Sequence, residues 1–189
     1  MGKRTNHYDA AFEAYLRRAR VPFVVVDEAR RARLNQVSLK SMDFIVTAPG
    51  NHNLLVDVKG RQFPSGRGPE RAQPPAPKRV GHKWENWATK DDLDSLLLWQ
   101  DVFGEGFRAM LVFAYELLDP QAAADPTAGM NVGPDGPFFY RDRAYSFFGV
   151  WVDEYCIAMH ARSQSWETVS VPSREYRDLR IPFAELLGC

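Results

Sequence analysis

Apolar residues recur at three- and four-residue spacing from His7 to about Arg20, at Tyr8, Ala11, Phe12, Tyr15, Leu16 and Ala19. That spacing predicts an amphipathic helix, with Asn6 as its N-cap. Pro22 ends the helix, and the run Phe23-Val24-Val25-Val26 reads as a buried strand. The charged stretch from Asp27 to Arg33 is either a short helix or a loop that carries Arg30 and Arg31 toward phosphate. Two short apolar runs, at 42–47 and 53–59, flank Pro49-Gly50-Asn51. Proline there sets φ and glycine permits φ > 0, so the stretch reads as a β-hairpin. Thr89 and Asp92 form a capping pair for a helix over 91–103, along which Leu93, Leu96, Leu97, Gln100 and Phe103 trace one face. Gln100 is the polar member of that seam, and an amide bonded to backbone is the favoured reading of it. Gly104-Glu105-Gly106 breaks the helix, and Phe107 to Tyr115 is a central strand. Further on, 145–152 reads as a strand, 153–161 as a short helix, 166–171 as a strand and 182–187 as a terminal helix.

With Gly50 at the centre of the hairpin turn, partner residues have numbers that sum to about 100. Asp43 then faces Asp57, Ile45 faces Leu55, and Ser41 faces Lys59. Side chains alternate with period two, so Leu55, Asp57 and Lys59 share one face of their strand. Directly opposed carboxylates have Cβ atoms roughly 5 Å apart and repel one another. A divalent cation between them offsets that repulsion, and carboxylate oxygens suit magnesium. The competing reading places both aspartates at the ends of edge strands, where they meet only solvent.

The chain has 189 residues, 45% of them hydrophobic and 25% charged, which fits a single soluble domain spanning 1–189. No apolar run approaches the ~20 residues that cross a bilayer, so no membrane association is expected. Cys156 and Cys189 form neither a disulfide framework nor a zinc spacing, and a reducing cytoplasm is the simplest location. The four histidines share no ligand spacing. Net charge is zero, yet residues 1–90 carry 17 Lys+Arg against 8 Asp+Glu, while 91–189 carry 7 against 16. Such asymmetry suggests a basic face for a polyanion. The basic half includes residues 60–83, with five prolines, four glycines and the cations Arg61, Arg67, Arg71, Lys78, Arg79 and Lys83. This reads as a long loop able to close over a phosphate backbone.

Asp43, then Asp57-Val58-Lys59, preceded by a helix that carries acids, resembles the PD-(D/E)XK nuclease superfamily, in its archaeal Holliday-junction-resolvase and restriction-endonuclease form. The resemblance spans about residues 7–115. It implies an α/β fold with a restriction-endonuclease-like core, in the order α-β-β-β-α-β, a central mixed sheet flanked by helices, and residues 116–189 as C-terminal β/α additions. Met42 stands where the motif has proline, and Asp57 where glutamate is more frequent.

The resemblance further implies a magnesium-dependent nuclease, with manganese as a substitute, acting on double-stranded or branched DNA, and it admits a homodimer. Asp43, Asp57 and the Val58 carbonyl would hold the metal. Glu13 would bind a second ion or a metal-bound water, with Asp9 as its competitor for that role. Lys59 would position the attacking hydroxide. Arg30, Arg31, Arg61, Arg67, Arg71, Lys78, Arg79 and Gln100 are the candidate nucleic-acid contacts. Two readings compete: a catalytically inactive nucleic-acid-binding or scaffold protein on the same fold, and a hydrolase of another phosphate ester.

Overall fold

In the computed structural model, residues 6–26, 32–34, 37–48, 53–63, 84–120 and 136–188 are described. Helix α1 (His7–Arg18) begins where the sequence indicates, with the Asn6 side chain accepting from the Tyr8 amide at 3.0 Å. It stops two residues short of the expected end. Strand β1 (Phe23–Val25) corrects an expectation: it is a sheet edge, not a buried strand, with Val24 59% and Val25 43% exposed. A valine run has the same pattern in either place, and only its pairing to a single neighbour separates the two. Strands β2 (Ala32–Leu34) and β3 (Val37–Leu39) form an antiparallel pair of their own, replacing the end of the expected helix or loop. Arg30 and Arg31 lie outside the described residues.

The hairpin is as expected. Strand β4 (Phe44–Thr47) pairs antiparallel with β5 (Asn53–Phe63), from Phe44↔Val56 to Thr47↔Asn53. Strand β5 then continues through Gly60–Phe63, where a loop was expected. Its other edge runs parallel to β7 (Phe107–Leu117) along all eleven residues, and that ladder keeps it extended. Between them the chain forms β6 (Ala88–Thr89) and α2 (Lys90–Phe103), the latter opened by a capping box in which Thr89 and Asp92 satisfy each other's backbone. Gly104, at φ 75°, closes it.

Next come β8 (Phe138–Tyr140), β9 (Arg143–Trp151), α3 (Val152–Ala158), β10 (His160–Ser163), β11 (Thr168–Ser170), α4 (Ser173–Leu179), β12 (Ile181–Pro182) and α5 (Phe183–Leu186). The main sheet runs β1-β4-β5-β7-β9-β12, with β8 beside β9; among the described residues its central β5–β7 pair is parallel and its other pairs are antiparallel. The segment after residue 115 is therefore woven into the core: β9 and β12 extend the main sheet. β10 and β11 form a small sheet with β6 at the start of α2. No helix among the described residues is long and apolar enough to cross a membrane.

Alternation along β5 divides the interior. Leu54, Val56 and Val58 meet Phe12 and Leu16 of α1 on one face, whereas Leu55 meets Leu93 and Leu96 of α2 on the other. At the end of β5, α1 sits directly on the backbone. A Cβ built on Gly60 would fall 2.1 Å from the Tyr8 ring. Gly60→Ala is therefore expected to push α1 away and cost about 1–3 kcal/mol in urea unfolding. The same substitution in a Tyr8→Ala background should cost much less; equal costs in both backgrounds would show that the ring is not what fills the space.

Candidate active site

Strand β4 is much shorter than β5, and this difference opens the site. Beyond Phe44, the outer edge of β5 has no further β4 residue to pair with. Asp43 stands in. Its amide donates to the Val56 carbonyl at 2.9 Å, and its Oδ2 accepts from the Val58 amide at 2.5 Å. In a strand, a residue's N–H and C=O point to the same edge, so the Val58 carbonyl also faces this side. Asp43 and Asp57 are both buried, at 4% exposure each. Asp57 lies on the α2 face with Leu55, and Asp43 lies two positions from Ile45, which packs on that same face.

Lys59 binds Asp57 Oδ2 at 2.5 Å and Asp92 Oδ2 at 2.7 Å. Asp92 is the residue that sequence reasoning missed, having been read only as half of a capping box. It does serve as one: its Oδ2 accepts from the Thr89 amide at 3.0 Å. It also pairs through Oδ1 with Lys40, a second lysine not singled out in the sequence. Asp57, Lys59, Asp92 and Lys40 thus form an alternating chain of charges across β5, α2 and the residue that follows β3.

The environment sets the protonation of each group. Burial lifts the Asp57 carboxyl above the usual carboxylate range; Lys59 opposes that shift and the Asp92 charge reinforces it. Burial alone would make Lys59 less basic, but Asp57 and Asp92 outweigh it and hold the ammonium well above the ordinary lysine value. Burial would likewise raise Asp92, yet the charge of Lys59 and the hydrogen bonds from both lysines hold it well below the ordinary value.

Lys59 and Asp92 border a cleft of about 420 Å³ whose walls also include Asn6, Tyr8, Lys40, Val58, Arg61 and Trp87, and Asp57 lies behind Lys59. Arg61 belongs to β5 and not to a loop. Its guanidinium lies 3.8 Å over the Trp87 ring and donates to the Gly60 and Trp87 carbonyls. Arg67, Arg71, Lys78 and Arg79 fall outside the described residues.

Two candidates are not brought to the cleft. Gln100 is a structural amide, its Oε1 accepting from the Ala109 amide at 2.7 Å; this corrects its place among nucleic-acid contacts. Glu13 is paired with Arg17 at 2.7 Å, one turn along α1, on the helix that packs against the opposite sheet face from Asp57. Asp9, its competitor, is buried in the first turn of the same helix.

The donor set fits a hard divalent cation. Asp43, Asp57 and the Val58 carbonyl offer only oxygen, and burial raises the Asp57 carboxyl against the pull of Lys59. Among the described residues no group of three or more acidic, histidine or cysteine side chains is placed to hold a metal. Two carboxylates are enough for magnesium, which keeps much of its water shell.

No protein-family model matches the sequence, nor does any curated protein. Among solved structures the chain is similar to the Holliday junction resolvase Hjc of the archaeal hyperthermophile Archaeoglobus fulgidus. The TM-score is 0.51 at 14% identity, covering 96% of this chain and 98% of that one. At that identity the likeness is one of fold. The chain has a restriction-endonuclease-like arrangement, a central mixed sheet flanked by helices, as the Asp43 and Asp57-Val58-Lys59 pattern implied.

The depressed Asp92 carboxyl gives a pH signature. Its ionised form contributes stability above the unfolded aspartate value of about 3.9, and that contribution is lost as pH falls toward the lower folded value. Asp92→Asn keeps a side-chain oxygen for the Thr89 amide while removing the charge. The variant should melt below the wild type at pH 7, and the gap should narrow progressively as pH falls below about 4. A gap independent of pH would mean that Asp92 acts through its cap alone.

Proposed function

We propose that this chain is a metal-dependent nuclease that hydrolyses phosphodiester bonds, with DNA as its substrate. The observation that carries this reading is a protonated lysine fixed beside two buried carboxylates on the wall of a cleft lined by further cations. Three of the lining side chains, Lys40, Lys59 and Arg61, are basic, and one, Asp92, is acidic. Such a surface attracts a phosphate backbone. The shared fold with a Holliday junction resolvase supports the same class of activity and suggests branched DNA as one substrate to try.

Asp43, Asp57 and the Val58 carbonyl would hold magnesium, or manganese in its place. When bound, the ion would lower the pKa of water and neutralise charge on the phosphate oxygens. The chain's own residues complete the site. Lys59 is held as an ammonium, so it acts as a fixed positive charge for the growing negative charge and not as a general base. Asp43, bonded to the Val58 amide, locks the edge of β5 so that the carboxylates and the carbonyl keep their spacing.

One observation favours a second reading, a nucleic-acid-binding protein without catalysis. The Lys59 charge is already matched by Asp57 and Asp92. A cleavage assay on supercoiled plasmid, linear duplex, single strands and a four-way junction, with magnesium or with a chelator, separates the two. The nuclease reading expects magnesium-dependent cleavage of at least one substrate. Asp57→Asn and Lys59→Met should each lower it by about 100-fold or more. Binding without cleavage on every substrate would leave the binding-protein reading in its place.

A further inference from the structure

We propose that Lys40 is a second phosphate-binding residue of the cleft, held there by one face of α2. This inference rests on the nucleic-acid reading of the cleft but not on cleavage. Lys40 follows β3 directly and is fixed at three points. Its amide donates to Ser95 Oγ at 3.1 Å, its carbonyl accepts from Trp99 Nε1 at 2.9 Å, and its ammonium pairs with Asp92 Oδ1. Asp92, Ser95 and Trp99 stand at i, i+3 and i+7, one stripe of a helix. Ser95 and Asp92 are buried. A lysine that serves only solubility leaves its backbone and its head unconstrained.

The second oxygen of Asp92 holds Lys59, so one carboxylate sets the spacing of two ammoniums on the same wall. Because Asp92 also caps α2, it cannot swing away without opening the helix start. The two lysines differ in access. The Lys40 side chain is 38% exposed and that of Lys59 is 12% exposed, so Lys40 meets incoming backbone first while Lys59 stays with Asp57. A phosphodiester reaching Lys59 passes within range of Lys40, and two preset cations engage it with little further ordering.

The test uses a short fluorescent duplex DNA, bound by the full chain in chelator across a salt series. Lys40→Met should weaken binding about five- to tenfold near 0.1 M salt and lower the slope of log K against log salt by about one. Lys40→Gln, which retains a hydrogen bond to Asp92 without the charge, should show the same loss and covers the case in which Lys40→Met does not fold. Lys40→Arg should restore most of the affinity and the slope. With magnesium and a cleavable substrate, Lys40→Gln should raise KM by a similar factor and change kcat little.

A lysine that merely neutralises Asp92 would lower the melting temperature in both neutral variants and leave the salt slope at the wild-type value. That result overturns the proposal, as does a wild type that binds no DNA. A wild type that binds without cleaving, and loses one unit of slope in Lys40→Gln, supports Lys40 while overturning the nuclease reading.

Discussion

An ammonium held between two buried carboxylates is expensive to place, and the geometry around Lys59 follows from that cost. Taking each ion out of water costs several kcal/mol, and the mutual attraction returns this only when the partners are positioned closely. Asp57 and Lys59 are two residues apart on β5, so their alignment is local. Asp92 comes from α2, and its position depends on everything that holds α2 to the sheet: the capping box with Thr89, the β6–β11 pairing just before it, and Leu93 and Leu96 packed against Leu55 and Leu111. The parallel β5–β7 ladder fixes the far end of the same crossover. The C-terminal strands therefore contribute to the site without supplying any of its charges.

The balance of charge around Asp57 is uneven, and the unevenness points toward function. Lys59 is satisfied twice, by Asp57 and Asp92, and Asp92 is satisfied three times, by two lysines and a backbone amide. Asp57 shares its lysine with a competing acid and keeps a raised carboxyl value. Perturbed carboxyls of this kind gather where a cation or a substrate supplies what the protein leaves out.

The hairpin was legible in the sequence because pairing about a known turn centre is arithmetic: Ile45 meets Leu55 as numbers summing to 100 require. The same arithmetic set Asp43 opposite Asp57; the ladder itself ends at Phe44↔Val56, and Asp43 bonds the Val56 carbonyl and the Val58 amide. The capping box was legible too, being a four-residue motif. What could not be read was the second task of Asp92, because its contact with Lys40 spans 52 residues and exists only after the crossover forms. The end of β5 was misread for a related reason. Gly60 opens a glycine- and proline-rich stretch and looks like the start of a loop, until a parallel partner of equal length holds it extended. Glu13 was different: Arg17 stands at i+4, a spacing visible in the sequence, and that pairing occupies the carboxylate. Asp9 and Glu13 differ by about one helical turn, and only Asp9 is buried.

The central claim is that the buried charges at Asp57 serve a cation and not the fold. The most direct measurement is the melting temperature of wild type and Asp57→Asn, each without metal and then titrated with magnesium. Removing a charge that burial disfavours, at constant size, should leave the metal-free melting temperature of the variant equal to or above that of the wild type. Magnesium should raise the melting temperature of the wild type and leave that of the variant unmoved. The contrary result is a metal-free variant destabilised by about 3–5 kcal/mol, as for a broken buried ion pair, together with a wild type that does not respond to magnesium.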